Sequence, residues 1–185
     1  MHKVKMPKSA WAAQAPTAGG YYIRVLPVES TDESGTVIVE SVEDKIDHKP
    51  TKKDFSDLEA RWLSGCKRWK KSEIAEHAKS DAVKVFELNG VRGWLNSEER
   101  VSIRRAVADK AAVGRDTVSV YVSGQGFNMT PAKAEEILAA VEVYASDCYD
   151  VTENHKAAVD ALTTPAEVEA YDYAAGYPQP LQFAV

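Results

Sequence analysis

Several things are missing from this sequence of 185 residues, and each absence removes a class of function. Nowhere do eighteen apolar residues run together, so no stretch reads as a membrane-spanning helix. The opening MHKVKMPKSAWAAQAPTAGG is basic but lacks the continuous apolar core of a signal peptide, and a soluble chain made in the cytoplasm is expected. Only two cysteines are present, Cys66 and Cys148, both in helix-like patterns where a free thiol packs as a small hydrophobe. A disulfide framework is not expected, and a reducing compartment fits. The histidines His2, His48, His77 and His155 never fall three or four apart, which leaves a zinc site without ligands at a usable spacing.

Nucleotide-binding and nucleophile motifs are also missing. A phosphate loop needs glycines at fixed spacing between a strand and a helix, whereas SGQGF has a lone G-x-G with another strand pattern after it. It reads as a turn. No serine or cysteine elbow occurs. Carboxylate pairs such as Glu98-Glu99 and Glu135-Glu136 stand at helix starts, where the dipole favours them. No catalytic residue, cofactor or metal is therefore expected, and the chain does not read as an enzyme.

Net charge is −5, unevenly spread: Phe127 to Val185 hold two lysines, no arginine and ten acidic residues. Such an end repels nucleic acid.

What is present reads as an α+β fold: two β-hairpins packed with about five helices, the C-terminal part helical. Residues 1–20 lack periodicity and end in Gly19-Gly20, which suggests a flexible or extended arm carrying one large apolar residue, Trp11. Residues 21–79 form an N-terminal segment. YYIRVLPV and TVIVESV flank the turn cluster ESTDESG as a hairpin, EDKIDHKPTKKD connects, and Asp54 stands as N-cap of an amphipathic helix. Residues 80–185 form the larger C-terminal domain. Asn89-Gly90 suits a tight I′ turn, Asn96 and Glu99 a capping box, and Gly114 a C-cap. DTVSVYV and the return strand FNM give a second hairpin. Thr130-Pro131 opens a long helix, Thr152 a shorter one, and Thr164-Pro165-Ala166-Glu167 a last one. YPQPLQFAV leaves extended, a tail suited to reaching another subunit.

The candidate interaction surface is WLSGCKRWKK. Trp62 and Trp69, interleaved with Lys67, Arg68, Lys70 and Lys71, could stack on bases and hold phosphates. The tryptophans also share a stripe with Leu58 and Cys66, and that spacing favours a core or a protein interface. With Trp11, these residues complete the set.

Three stretches carry a family resemblance: the turn and tryptophan of LNGVRGWL, YASDCYDVT with HKAAVDAL, and the closing EAYDYAAGYP. From about Ser80 to Phe183 the chain resembles a domain family of unknown function carried by tailed bacteriophages and prophages, often near the C-terminus of tail-fibre or tail-associated proteins. The GYYIRVLPVES hairpin is similar to a short N-terminal module that accompanies this domain. The resemblance implies a non-enzymatic virion structural protein, tail- or fibre-associated, assembling with itself and with other phage structural proteins after synthesis in the host cytoplasm. A fibre-assembly chaperone and a nucleic-acid-binding accessory protein are the alternatives.

Overall fold

The computed structural model describes residues 10–14, 20–25, 30–31, 37–38 and 42–185. The chain divides into two compact units, Met1–Glu73 with Lys156–Asp172, and Ile74–His155 with Tyr173–Val185. The first unit thus includes a piece of the C-terminal half of the sequence.

In the first unit, β1 (Ala10–Gln14), β2 (Tyr21–Val25) and β5 (Val42–Ile46) form an antiparallel sheet in the order β1-β2-β5. Among the described residues between β2 and β5, β3 (Ser30–Thr31) pairs with β4 (Val37–Ile38). YYIRV therefore pairs with the charged segment VEDKI, and meets the expected partner TVIVESV at its last residue, Val42 opposite Val25. A half-exposed strand needs only its inward side chains to be apolar, and here Ile46 meets Ile23, Phe55 and Leu58. Part of the expected arm is likewise a strand, with Trp11 opposite Arg24. The Trp11 side chain and the remainder of 1–19 lie outside the described residues.

Helix α1 (Lys52–His77) starts earlier than Asp54. Thr51 takes the N-cap role and Asp54 reciprocates from the third helical position: Thr51 N–H and Oγ1 donate to Asp54 Oδ2 at 2.7 and 2.6 Å. The Thr51 hydroxyl bond, the largest cause, lowers Asp54 to about 2. Hydrogen bonds donated to Asp47 and then Asp54 raise His48, whose nitrogens lie 3.1 and 3.2 Å from the two carboxylates. A group raised on folding stabilises below its unfolded pKa, and loses that contribution as pH climbs through the folded value. His48 should thus titrate above 6.5 by NMR, and Asp47→Asn should bring it back toward that value. A His48 midpoint unmoved by the substitution would contradict this.

The second unit is built around the hairpin of β6 (Phe86–Leu88) and β7 (Val91–Gly93). Its two-residue turn holds Asn89 and Gly90 at φ 49° and 84°, the left-handed pair of a I′ turn. Then come α2 (Ser97–Ala112), the hairpin of β8 (Val118–Val122) and β9 (Gln125–Met129), and α3 (Pro131–Ala161). The Asn96/Glu99 capping box and the left-handed Gly114 both form as expected. Phe86, Leu88, Val107, Val118, Val122, Leu138 and Val141 are among the side chains of one buried cluster. Gly93 is required by a close approach: a Cβ there would run into Val122 Cγ1 and lie 2.6 Å from Ser123 Oγ. Gly93→Ala should cost about 1–3 kcal/mol in chemical denaturation; an unchanged midpoint would show that β8 yields.

Four helices are present among the described residues where about five were expected, α4 (Pro165–Ala170) being the last. The two helices read around Thr152 are one. Its hydroxyl donates back to Cys148 O at 2.8 Å, which accommodates threonine inside a helix instead of capping a new one. The Thr164/Glu167 capping box opens α4 as expected. No helix among the described residues is long and apolar enough to cross a membrane.

Candidate functional site

The basic stretch of α1 is turned inward, onto the ends of other helices of the first unit. Lys67 Nζ donates to Asp160 O at 2.8 Å, in the last turn of α3. Lys71 holds the Asp160 carboxylate at 2.8 and 3.0 Å. Lys70 Nζ lies 3.2 Å from Glu169 O, near the end of α4, and 3.0 Å from Glu73 Oε2. Carbonyls in the last turn of a helix lack intrahelical donors and carry the negative end of the dipole, so cations are stabilising there. Three of the four basic residues offered as a phosphate-binding surface thus serve the fold, and Arg68 alone is exposed.

The two tryptophans part company. The buried line of α1 steps by four, through Leu58, Trp62, Cys66, Lys70 and Ile74, so Lys70 occupies the place expected for Trp69. Trp62 is partly buried, and its Nε1 is buried with no hydrogen-bond partner. Trp69 is 61% exposed, its Nε1 donating to Glu73 Oε1 at 3.2 Å. Reading the stripe as 3, 4, 4, 3 placed Trp69 on a face that the chain gives to lysine.

In the second unit, residues of the three family-like stretches come together. Arg100, 7% exposed, donates to Glu142 at 2.6 and 3.4 Å and to Leu95 O at 2.7 Å, and lies 5.7 Å from the centre of the Trp94 ring. Its hydrogen bond holds the Glu142 carboxyl below the usual range. Trp94 in turn leans on Tyr144, whose hydroxyl donates to Val83 O at 2.7 Å and is pushed up to about 12 by burial. Burial also raises the Cys148 thiol, the opposite of what a nucleophile needs. Neither cysteine is in a disulfide.

At the other end of α3, Tyr177 is clasped. His77 sits edge-on to Tyr173 and Tyr177, with centroids 5.5 and 5.4 Å away. His155 leans on Tyr177 with ring centres 5.7 Å apart and planes tilted by 38°, and places Nε2 2.9 Å from Ala175 O. The Tyr177 hydroxyl lies 3.0 Å from Thr152 Oγ1. This explains three conspicuous features of YASDCYDVTENH and YDYAAGYP at once: the threonine, the histidine and the tyrosines anchor one bend.

Beyond that bend, Leu181–Phe183 forms β10 and pairs in parallel with β6. The tail expected to reach another subunit is therefore an edge strand of its own unit. Leu181 and Phe183 pack on the core and Gln182 faces out. Asn89 continues the ladder: its N–H donates to Phe183 O at 2.9 Å, and its amide brackets Val185, donating to O at 3.1 Å and accepting from N–H at 3.0 Å. The hairpin turn residue, read from sequence only as a turn former, also recognises backbone. Among the described residues no group of three or more His, Cys, Asp or Glu is placed to hold a metal ion.

Residues 66–175 match the model of a protein family described as a domain of unknown function (DUF4376). No curated protein and no solved structure matches the chain.

Proposed function

The chain belongs to the DUF4376 family, and from that premise we propose that it is a non-enzymatic structural protein of a bacteriophage particle, tail- or fibre-associated, acting by assembly with copies of itself and with other phage structural proteins. Its motifs resemble those of domains carried in phage tail and fibre proteins, and the phage setting rests on that resemblance. The family description assigns no role.

The observation that carries assembly over nucleic-acid binding is the fate of the basic stretch. Lys67, Lys70 and Lys71 are committed to helix ends and to Glu73 and Asp160, so a phosphate would have to displace bonds already made. Meanwhile Trp69, Tyr121, Val143 and Tyr149 are each 60% or more exposed, and aromatic surface of that kind favours protein contacts. Mass spectrometry of purified particles from the phage or prophage encoding this chain tests the proposal. Several copies per particle, counted against the capsid protein, are expected. Abundance in the infected cell with absence from particles would replace it with the assembly-chaperone reading.

A further inference from the structure

Residues Phe86–Asn89 form a complete recognition groove for an extended peptide, and we propose that in assembly this groove takes the Leu181–Val185 strand of a second copy of the chain. The proposal rests on the self-assembly reading above and supplies its contact.

The groove has the parts that strand-addition sites use. A three-residue ladder runs from Phe86 to Leu88 with Leu181, Gln182 and Phe183 in register. Alternate side chains enter the core, Phe183 meeting Phe86 edge-on at 6.2 Å between ring centres. Asn89 grips backbone at both Phe183 and Val185. Main-chain ladder and amide clamp are blind to which chain supplies the strand, so the partner best matched to this groove is the same segment of another copy.

What decides between the two is the connection. Tyr177 is fixed by His77, His155 and Thr152, and only Pro178, Gln179 and Pro180 separate it from β10. Two of those three residues have φ locked near −65° and no N–H to give. A short, stiff hinge gains little by folding back and loses little by continuing outward, the condition under which identical elements exchange between protomers. Exchange leaves every groove contact intact and exposes no new apolar surface.

Two measurements on the full chain test this. Inserting Gly-Ser-Gly-Ser between Gln179 and Pro180 keeps all contacts but relaxes the hinge. It should weaken self-association, followed by light scattering over a concentration series, by about tenfold or more, because a longer, more flexible connection favours closure on its own chain over exchange. Separately, chains carrying Glu87→Cys are mixed at high concentration with chains carrying Gln182→Cys, the two positions being direct register partners. Peptide mapping after oxidation should find the two introduced thiols joined between chains. Self-association indifferent to the insertion, together with no such linkage, overturns strand exchange while leaving assembly through another face intact. Absence from phage particles would instead remove the assembly reading, whatever the linkage shows.

Discussion

Arg100→Ala should lower the stability of the second unit by about 2–4 kcal/mol, among the larger effects a single surface-to-core substitution can have here. The guanidinium is nearly buried and does three things: it binds the Glu142 carboxylate at two oxygens, satisfies Leu95 O, and covers the Trp94 ring. Truncation orphans a buried carbonyl and uncovers an indole. Glu142, however, has a side chain 47% exposed and can rehydrate, which keeps the loss below that of a fully buried pair. Arg100→Lys should recover less than half, since one ammonium cannot span the carboxylate and the carbonyl together. Glu142→Gln should be the mildest. Because the carboxyl is held below its usual value, the pair's contribution is present above the ordinary glutamate range and fades as pH falls through the lowered one. Urea denaturation at neutral and acid pH reads all three variants. A loss under 1 kcal/mol for Arg100→Ala would show that the packing of α2, not its arginine, holds this region.

That arginine illustrates what the sequence could and could not disclose. Local chemistry was legible: the Asn96/Glu99 and Thr164/Glu167 boxes, the Asn89-Gly90 turn and the Gly114 stop are set by single residues or by residues no more than three apart, and each forms as expected. Errors began where the partner a residue takes, not its own propensity, decided the outcome. Thr152 looks like a cap because threonine caps helices, but Cys148 O lies one turn back to receive its hydroxyl, and the helix runs on. EDKI looks like the start of a charged connector because nothing in its own pattern points to β2, the strand it pairs with. β10 sits 95 positions from the strand it joins in register, and no pattern in LQFAV announces a parallel partner. For the interaction surface the difficulty was sharper. Lysines interleaved with tryptophans read the same whether they face phosphates or helix ends, since both present negative potential and free acceptors. Only the placement of Asp160 and Glu169 separates the two, and neither is near in sequence.

Lys70→Ala then follows as the largest expected loss in the first unit, about 3–5 kcal/mol. Lys70 and Glu73 have side chains 12% and 11% exposed, and their charges are 3.0 Å apart. Removing the ammonium strands a nearly buried carboxylate whose remaining donor is the Trp69 indole, and takes a cation from the end of α4. Replacing both members by apolar residues of similar length, Lys70→Met with Glu73→Leu, should restore most of the loss, because the cost lies in the uncompensated charge rather than in the pair's absence. The double substitution frees Trp69 from its tether at the same time, so a change in assembly without a change in melting temperature would place the exposed indole in the interface. If Lys70→Ala melts with the parent chain, Glu73 has escaped to water and the helix-end role of the basic stretch is wrong; nucleic-acid binding by Arg68 with its lysine neighbours would then have to be measured, as a function of salt, before the assembly reading could stand.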